Sequence, residues 1–156
     1  NRRGQRQRPP PCEVLSMATF ETARLYGGRD CKEFEAADGE VIRVWFHHAQ
    51  PEEIALAMHA AGLTQKGDTI TARGAEGDDL LTASKLIMAN VELARLCIDE
   101  MENYDHWQNG SSHTTGPHGL TMLTDEIVAR IPRVVLRDVG SEIFAKSKPS
   151  EDEKKD

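Results

Sequence analysis

Aromatic residues are scarce, at 5% of a 156-residue chain. That scarcity argues against a β-sandwich core and for a small helix-rich one built from Ala, Leu, Ile, Val and Met. The three cysteines, Cys12, Cys31 and Cys97, are odd in number and form no CxxC pair. Neither a disulfide framework nor a cysteine zinc site is therefore expected, and a reducing cytoplasm is the natural setting. No apolar run approaches the roughly 18 residues a membrane span needs. GxSxG, Walker A and GxGxxG patterns are missing, as is any repeat of solenoid period. What remains, 38% hydrophobic and 29% charged residues, fits one globular domain better than two.

The net charge of −7 is unevenly spread. Residues 1–16 carry Arg2, Arg3, Arg6 and Arg8 against Glu13, a net +3, which leaves −10 for residues 17–156. The opening segment has four Arg, three consecutive Pro and little that is apolar, so it is expected to be disordered. Two readings of it stand: a basic arm, or upstream translated sequence or an expression remnant ahead of a natural start at Met17. Residues 147–156 are expected to be a solvated charged tail. The domain itself is assigned to residues 17–146.

Within it, Asp38-Gly39 sits between Phe34 and the β-branched and aromatic run 41–46, which reads as a β-hairpin. Residues 20–26 ahead of it fit either a third strand or a short helix. Gln50-Pro51-Glu52-Glu53 opens a short amphipathic helix closed by Gly62. Residues 64–77 read as a loop, or a small hairpin around Thr69 to Ala72. Asp78-Asp79 then starts the strongest helical stripe, expected to run over 80–101 through Leu80, Ala83, Ile87, Val91, Ala94, Ile98 and Met101, widened by Leu86, Leu93 and Cys97. Residues 103–119 form a long polar loop. A last stripe, Ile127, Ile131, Val135, Val139 and Ile143, is interrupted by Pro132, which implies a kink or two short helices. The fold class is α+β, a small N-terminal hairpin or sheet followed by three to four helices. Its core is expected where Ile87, Val91, Ala94 and Ile98 meet Ile127, Ile131, Val135 and Val139.

Chemistry is thin by pattern. His106, His113 and His118 share one loop, but spacings of seven and five among Gly, Ser and Thr do not fix a metal geometry, so no metal and no cofactor are expected there. His47-His48 reads as a strand-end pair and His59 as a helix residue, with a metal bridging them to the loop left open. Glu52-Glu53 and Asp78-Asp79 are explained by helix dipoles, so no catalytic residue is assigned. Residues 53–68 open like a helix-turn-helix, yet Gly67, Asp68, Thr69 and Ile70 break the second helix, and the acidic charge has the wrong sign for phosphates.

Taken in order, these elements, with Val91-Glu-Leu-Ala-Arg-Leu-Cys-Ile-Asp99 and Leu123-Thr-Asp-Glu-Ile-Val-Ala-Arg-Ile-Pro132, resemble the tail assembly chaperones of long-tailed, siphophage-type bacteriophages over roughly residues 30–146. The loop at 103–119 departs from that family in being longer and richer in His. The resemblance implies a non-enzymatic factor in the host cytoplasm, absent from the mature virion. It would bind the tape measure protein, with the major tail protein and a second copy as further partners, and neither membrane nor nucleic acid. Both apolar stripes are broader than a small domain needs, which nominates Leu86, Leu93, Val128 and Val135 as client-binding. The resemblance further implies a longer form made by translational frameshifting, with which the Lys154-Lys155 pair is compatible. Alternatives are a small phage structural protein of tail completion or connector type, a helix-turn-helix DNA binder, and a His-dependent metalloenzyme.

Overall fold

The computed structural model describes residues 29–108 and 110–147. The expectations for residues 1–16, for the segment 20–26 and for the end of the tail fall outside the described residues. Strands β1 (Arg29–Glu35) and β2 (Val41–His47) form the anticipated antiparallel hairpin. Its tip works because Gly39 takes φ +85° and the Asp38 carboxylate accepts the Glu40 amide at 3.0 Å. Helix α1 (Pro51–Ala60) follows, with Pro at its start and a capping box in which the Glu53 side chain accepts the Gln50 amide at 2.8 Å. The segment after Gly62 folds into the hairpin β3 (Leu63–Lys66) and β4 (Thr69–Ala72), so a sheet stands where a recognition helix would be needed.

Helix α2 (Asp79–Cys97) is capped by Asp78, which accepts the Leu81 amide at 3.0 Å. It is shorter than the periodicity predicts. The Ile98 amide still bonds Ala94, but the backbone then extends into β5 (Ile98–Glu102), which pairs antiparallel with β2 to complete a three-stranded sheet of order β1-β2-β5. Electrostatics explain the switch. Asp99, Glu100 and Glu102 at a helix C-terminus would oppose its dipole. In the strand they instead meet Arg29, Arg43 and His47.

Residues 103–119 also carry more structure than a loop. Strand β6 (His113–Thr115) pairs with β7 (Thr121–Leu123) across a short 3₁₀ turn, Pro117–Gly119. Pro132 separates α3 (Asp125–Arg130) from α4 (Arg133–Lys146), as its ring requires. None of the helices among the described residues is long and apolar enough to cross a membrane.

One face of the sheet, through Val44, Phe46, Ile98 and Met101, packs on the helices. Val91, Leu93, Ala94, Leu96 and Cys97 of α2 meet Ile127, Ile131, Leu136, Val139 and Ile143 there. Two members of the expected core are displaced. Ile87 is 45% exposed, because α4 crosses α2 further along, where Gly140 sits against the backbone of Asn90. Val135 is only half-buried and Leu136 takes its place, because the break at Pro132 resets the helical phase so that 136, 139, 140 and 143 face inward. On the opposite sheet face Trp45 is buried beside Cys31, under the Arg29 guanidinium 5.0 Å from its ring. Cys31 is disulfide-bonded, against the expectation of no disulfide, so cysteine usage does not support a reducing compartment.

Candidate functional site

Two features stand out. The first is an apolar face on the N-terminal half of α2. Leu80 is 83% exposed, and Leu81, Ile87 and Met88 are exposed with it. Leu80 with Ile87 and Leu81 with Met88 are each seven residues apart, so the four side chains lie on one face over two helical turns. Val134, at the start of α4, is likewise half exposed. Of the residues nominated from the sequence, Leu93 is buried in the main core at 1% exposure and is unavailable to a client. Leu86 is partly buried under the β3–β4 hairpin, while Val128 and Val135 are partly buried against the main core. The stripe was legible, but its phase was not. Which side of a broad stripe faces water is set by where α4 crosses, and that is a tertiary fact.

The second is a polar cluster at one end of the sheet. His47 closes β2, Glu53 lies in the first turn of α1, Cys97 ends α2, and Asp99 belongs to β5. Between Trp45 and Phe46 the pairing with β5 slips by one residue, from Trp45 opposite Glu100 to Phe46 opposite Ile98. Asp99 is the extra residue of this β-bulge, and its carboxylate is aimed at His47 rather than along the ladder. The imidazole is held from both sides: Nδ1 is 2.8 Å from Asp99 and Nε2 is 2.8 Å from Glu53. With a carboxylate on each nitrogen, both nitrogens donate, so the ring is an imidazolium. Burial opposes that charge, yet hydrogen bonds to Asp99, the Cys97 thiol and Glu53 more than offset it, and the His47 pKa is pushed up to about 12. Burial pushes the Cys97 thiol up to about 11, against the opposing pull of His47.

The cluster borders a cleft of about 750 Å³ that Arg29, His113, Leu120 and Thr121 also line. Cys97 is fully buried and burial pushes its thiol up, whereas a reactive cysteine is an accessible thiolate of lowered pKa. Replacing Glu53 by Ala is expected to destabilise the fold by about 3 kcal/mol in urea denaturation. It strips the partly buried Nε2–H of its partner and removes the helix cap together.

The loop histidines do not converge. His113 donates from Nε2 to the Ile98 carbonyl at 2.8 Å and meets Trp107 edge-on. His106 lies beside Tyr104 and Arg130. His118 takes φ 59° in the 3₁₀ turn and lines a separate hollow with His59. His59 itself faces Arg73. No local pattern unites His47, Glu53, Cys97 and Asp99, which are spread over 53 positions. The one available signal was Glu53, whose role as a helix-start acid concealed a second one. No family model, no curated protein and no solved structure matches the chain.

Proposed function

We propose that the chain is a non-enzymatic tail assembly chaperone of a long-tailed bacteriophage, which holds the tape measure protein during tail construction through the apolar face of α2. The observation that carries this reading is the exposure of Leu80, Leu81, Ile87 and Met88 side by side on an otherwise acidic chain. Four large apolar side chains on one helix face mark an interaction surface. Their seven-residue repeat fits a helical occupant, whose own apolar seam returns every two turns, and a tape measure protein is a long helix of that kind. The net charge of −7 keeps the loaded complex soluble. On this reading the protein works in the host cytoplasm and leaves before the virion is complete. The alternative is a small structural protein of the tail. DNA binding is disfavoured by the β3–β4 hairpin, which replaces the second helix of a helix-turn-helix.

The test is co-expression with the tape measure protein of the same phage. The wild-type chain is expected to keep that protein soluble and to co-purify with it. A Leu80→Ser, Ile87→Ser, Met88→Ser variant should lose at least tenfold of the soluble client while keeping its own melting temperature, since these side chains face water. A client that stays soluble with the triple variant would overturn the reading. So would finding the chain as a stoichiometric part of purified virions, which would favour the structural alternative.

A further inference from the structure

The polar cluster has a geometry that a charge latch between strand and helix does not require. His47, Glu53 and Cys97 each present a ligand atom, and these atoms lie within 4.8 Å of one another. They form the only such trio among the described residues. They arrive from three different elements, the end of β2, the first turn of α1 and the last residue of α2. A tetrahedral zinc centre separates its ligand atoms by roughly 3.3–3.8 Å, so closing this trio on an ion takes only small side-chain adjustments. Behind the ring stands Asp99, bonded to Nδ1 at 2.8 Å, the carboxylate–histidine arrangement that fixes the tautomer of a metal-bound imidazole.

We propose that His47 Nε2, a Glu53 carboxylate oxygen and the Cys97 thiolate form a binding site for a zinc-class divalent transition metal, with Asp99 as the positioning residue and the remaining coordination position toward the cleft. The nitrogen, oxygen and sulfur donors select zinc or its neighbours over magnesium and calcium, which take all-oxygen sets. The charge balance suits the exchange. The ion enters as the Cys97 thiol and the Nε2–H each give up a proton to solvent, so one dication replaces two protons and the net charge of the cluster is unchanged. The Nδ1 proton stays on the bond to Asp99, and Glu53 exchanges a hydrogen bond for a metal bond. The site is independent of the α2 apolar face, so it stands or falls apart from the chaperone reading. It also departs from the expectation, drawn from loop spacing, that the chain binds no metal.

The experiment is titration of the full-length, chelator-treated protein with Zn²⁺ by calorimetry and with Co²⁺ by absorption. The expected result is one ion per chain, a rise in melting temperature with zinc, and a near-ultraviolet cobalt–thiolate charge-transfer band. Cys97→Ala should abolish the band, and His47→Gln should weaken zinc binding at least about 100-fold. Asp99→Asn should keep the band but weaken binding roughly 10–100-fold, which a merely structural aspartate would not do. Circular dichroism identifies any variant that has lost its fold, and the wild-type band decides the matter without variants. Absence of that band in the wild type overturns the proposal. So does its persistence in folded Cys97→Ala, or zinc affinity unchanged in folded His47→Gln, which would move the ion to other side chains.

Discussion

Gly140→Val is expected to leave no folded protein. A side chain grafted onto Gly140 would place its first carbon 1.7 Å from the carbonyl oxygen of Asn90 and 2.4 Å from its carbonyl carbon. Those are backbone atoms in the middle of α2, so no rotamer change relieves the clash, and α4 must lift off α2. This crossing joins the two longest helices among the described residues, whose Val91, Ala94, Val139 and Ile143 share one buried core. Opening it exposes that seam to water. Even Gly140→Ala should destabilise by roughly 3 kcal/mol or more, at the upper end for overpacking, and valine by enough to consume the stability of a small domain. Urea denaturation of the alanine variant and circular dichroism of the valine variant measure both. A control is Gly39→Ala at the hairpin tip, where nothing lies within 4 Å and only the positive φ is strained, for about 1 kcal/mol. An alanine at position 140 tolerated as well as the one at position 39 would refute the crossing.

Much of the fold was legible because its signals are local. Asp38-Gly39 predicts the first hairpin, Pro51-Glu52-Glu53 the start of α1, Asp78 the start of α2 and Pro132 the break between α3 and α4, and the structure has each. The end of α2 was not legible. Ile98 and Met101 keep the helical spacing, and it is the pairing with β2, together with Arg29, Arg43 and His47 opposite the acids, that turns the segment into a strand. That same event makes the polar cluster. Had the helix continued to Met101, Asp99 would project from α2 and no bulge would aim it at His47. The cluster was therefore hidden for the same reason as β5: both depend on contacts more than 50 residues apart in the chain. Glu53 shows the limit from the other side. An acid in a first helical turn has a complete local explanation, so nothing near it in the chain marks its second role at His47.

Val91→Asp and Ile87→Asp put the same charge on the same helix one turn apart and should have opposite fates. In the sequence the two residues belong to one stripe. In the structure Val91 is 8% exposed within the α2–α4 seam, while Ile87 is 45% exposed on the open face. An aspartate at position 91 is a charge taken from water with no partner among Ala94, Val139 and Ile143. Arg95, one turn further on, does not rescue it without giving up the Leu123 carbonyl and the Asp125 carboxylate that it now holds. The expected loss is about 4 kcal/mol or more, enough to unfold most molecules at 37 °C if the domain has ordinary stability. An aspartate at position 87 keeps its water, so its effect on stability should stay within about 0.5 kcal/mol. It should nevertheless reduce recovery of soluble tape measure protein, because it places a charge in the apolar face proposed to hold the client. Thermal unfolding and the co-expression assay, run on both variants, read the two consequences separately. A folded Val91→Asp variant would break the α2–α4 core assignment, and an Ile87→Asp variant that unfolds would show that the face of α2 taken here as open is part of the core.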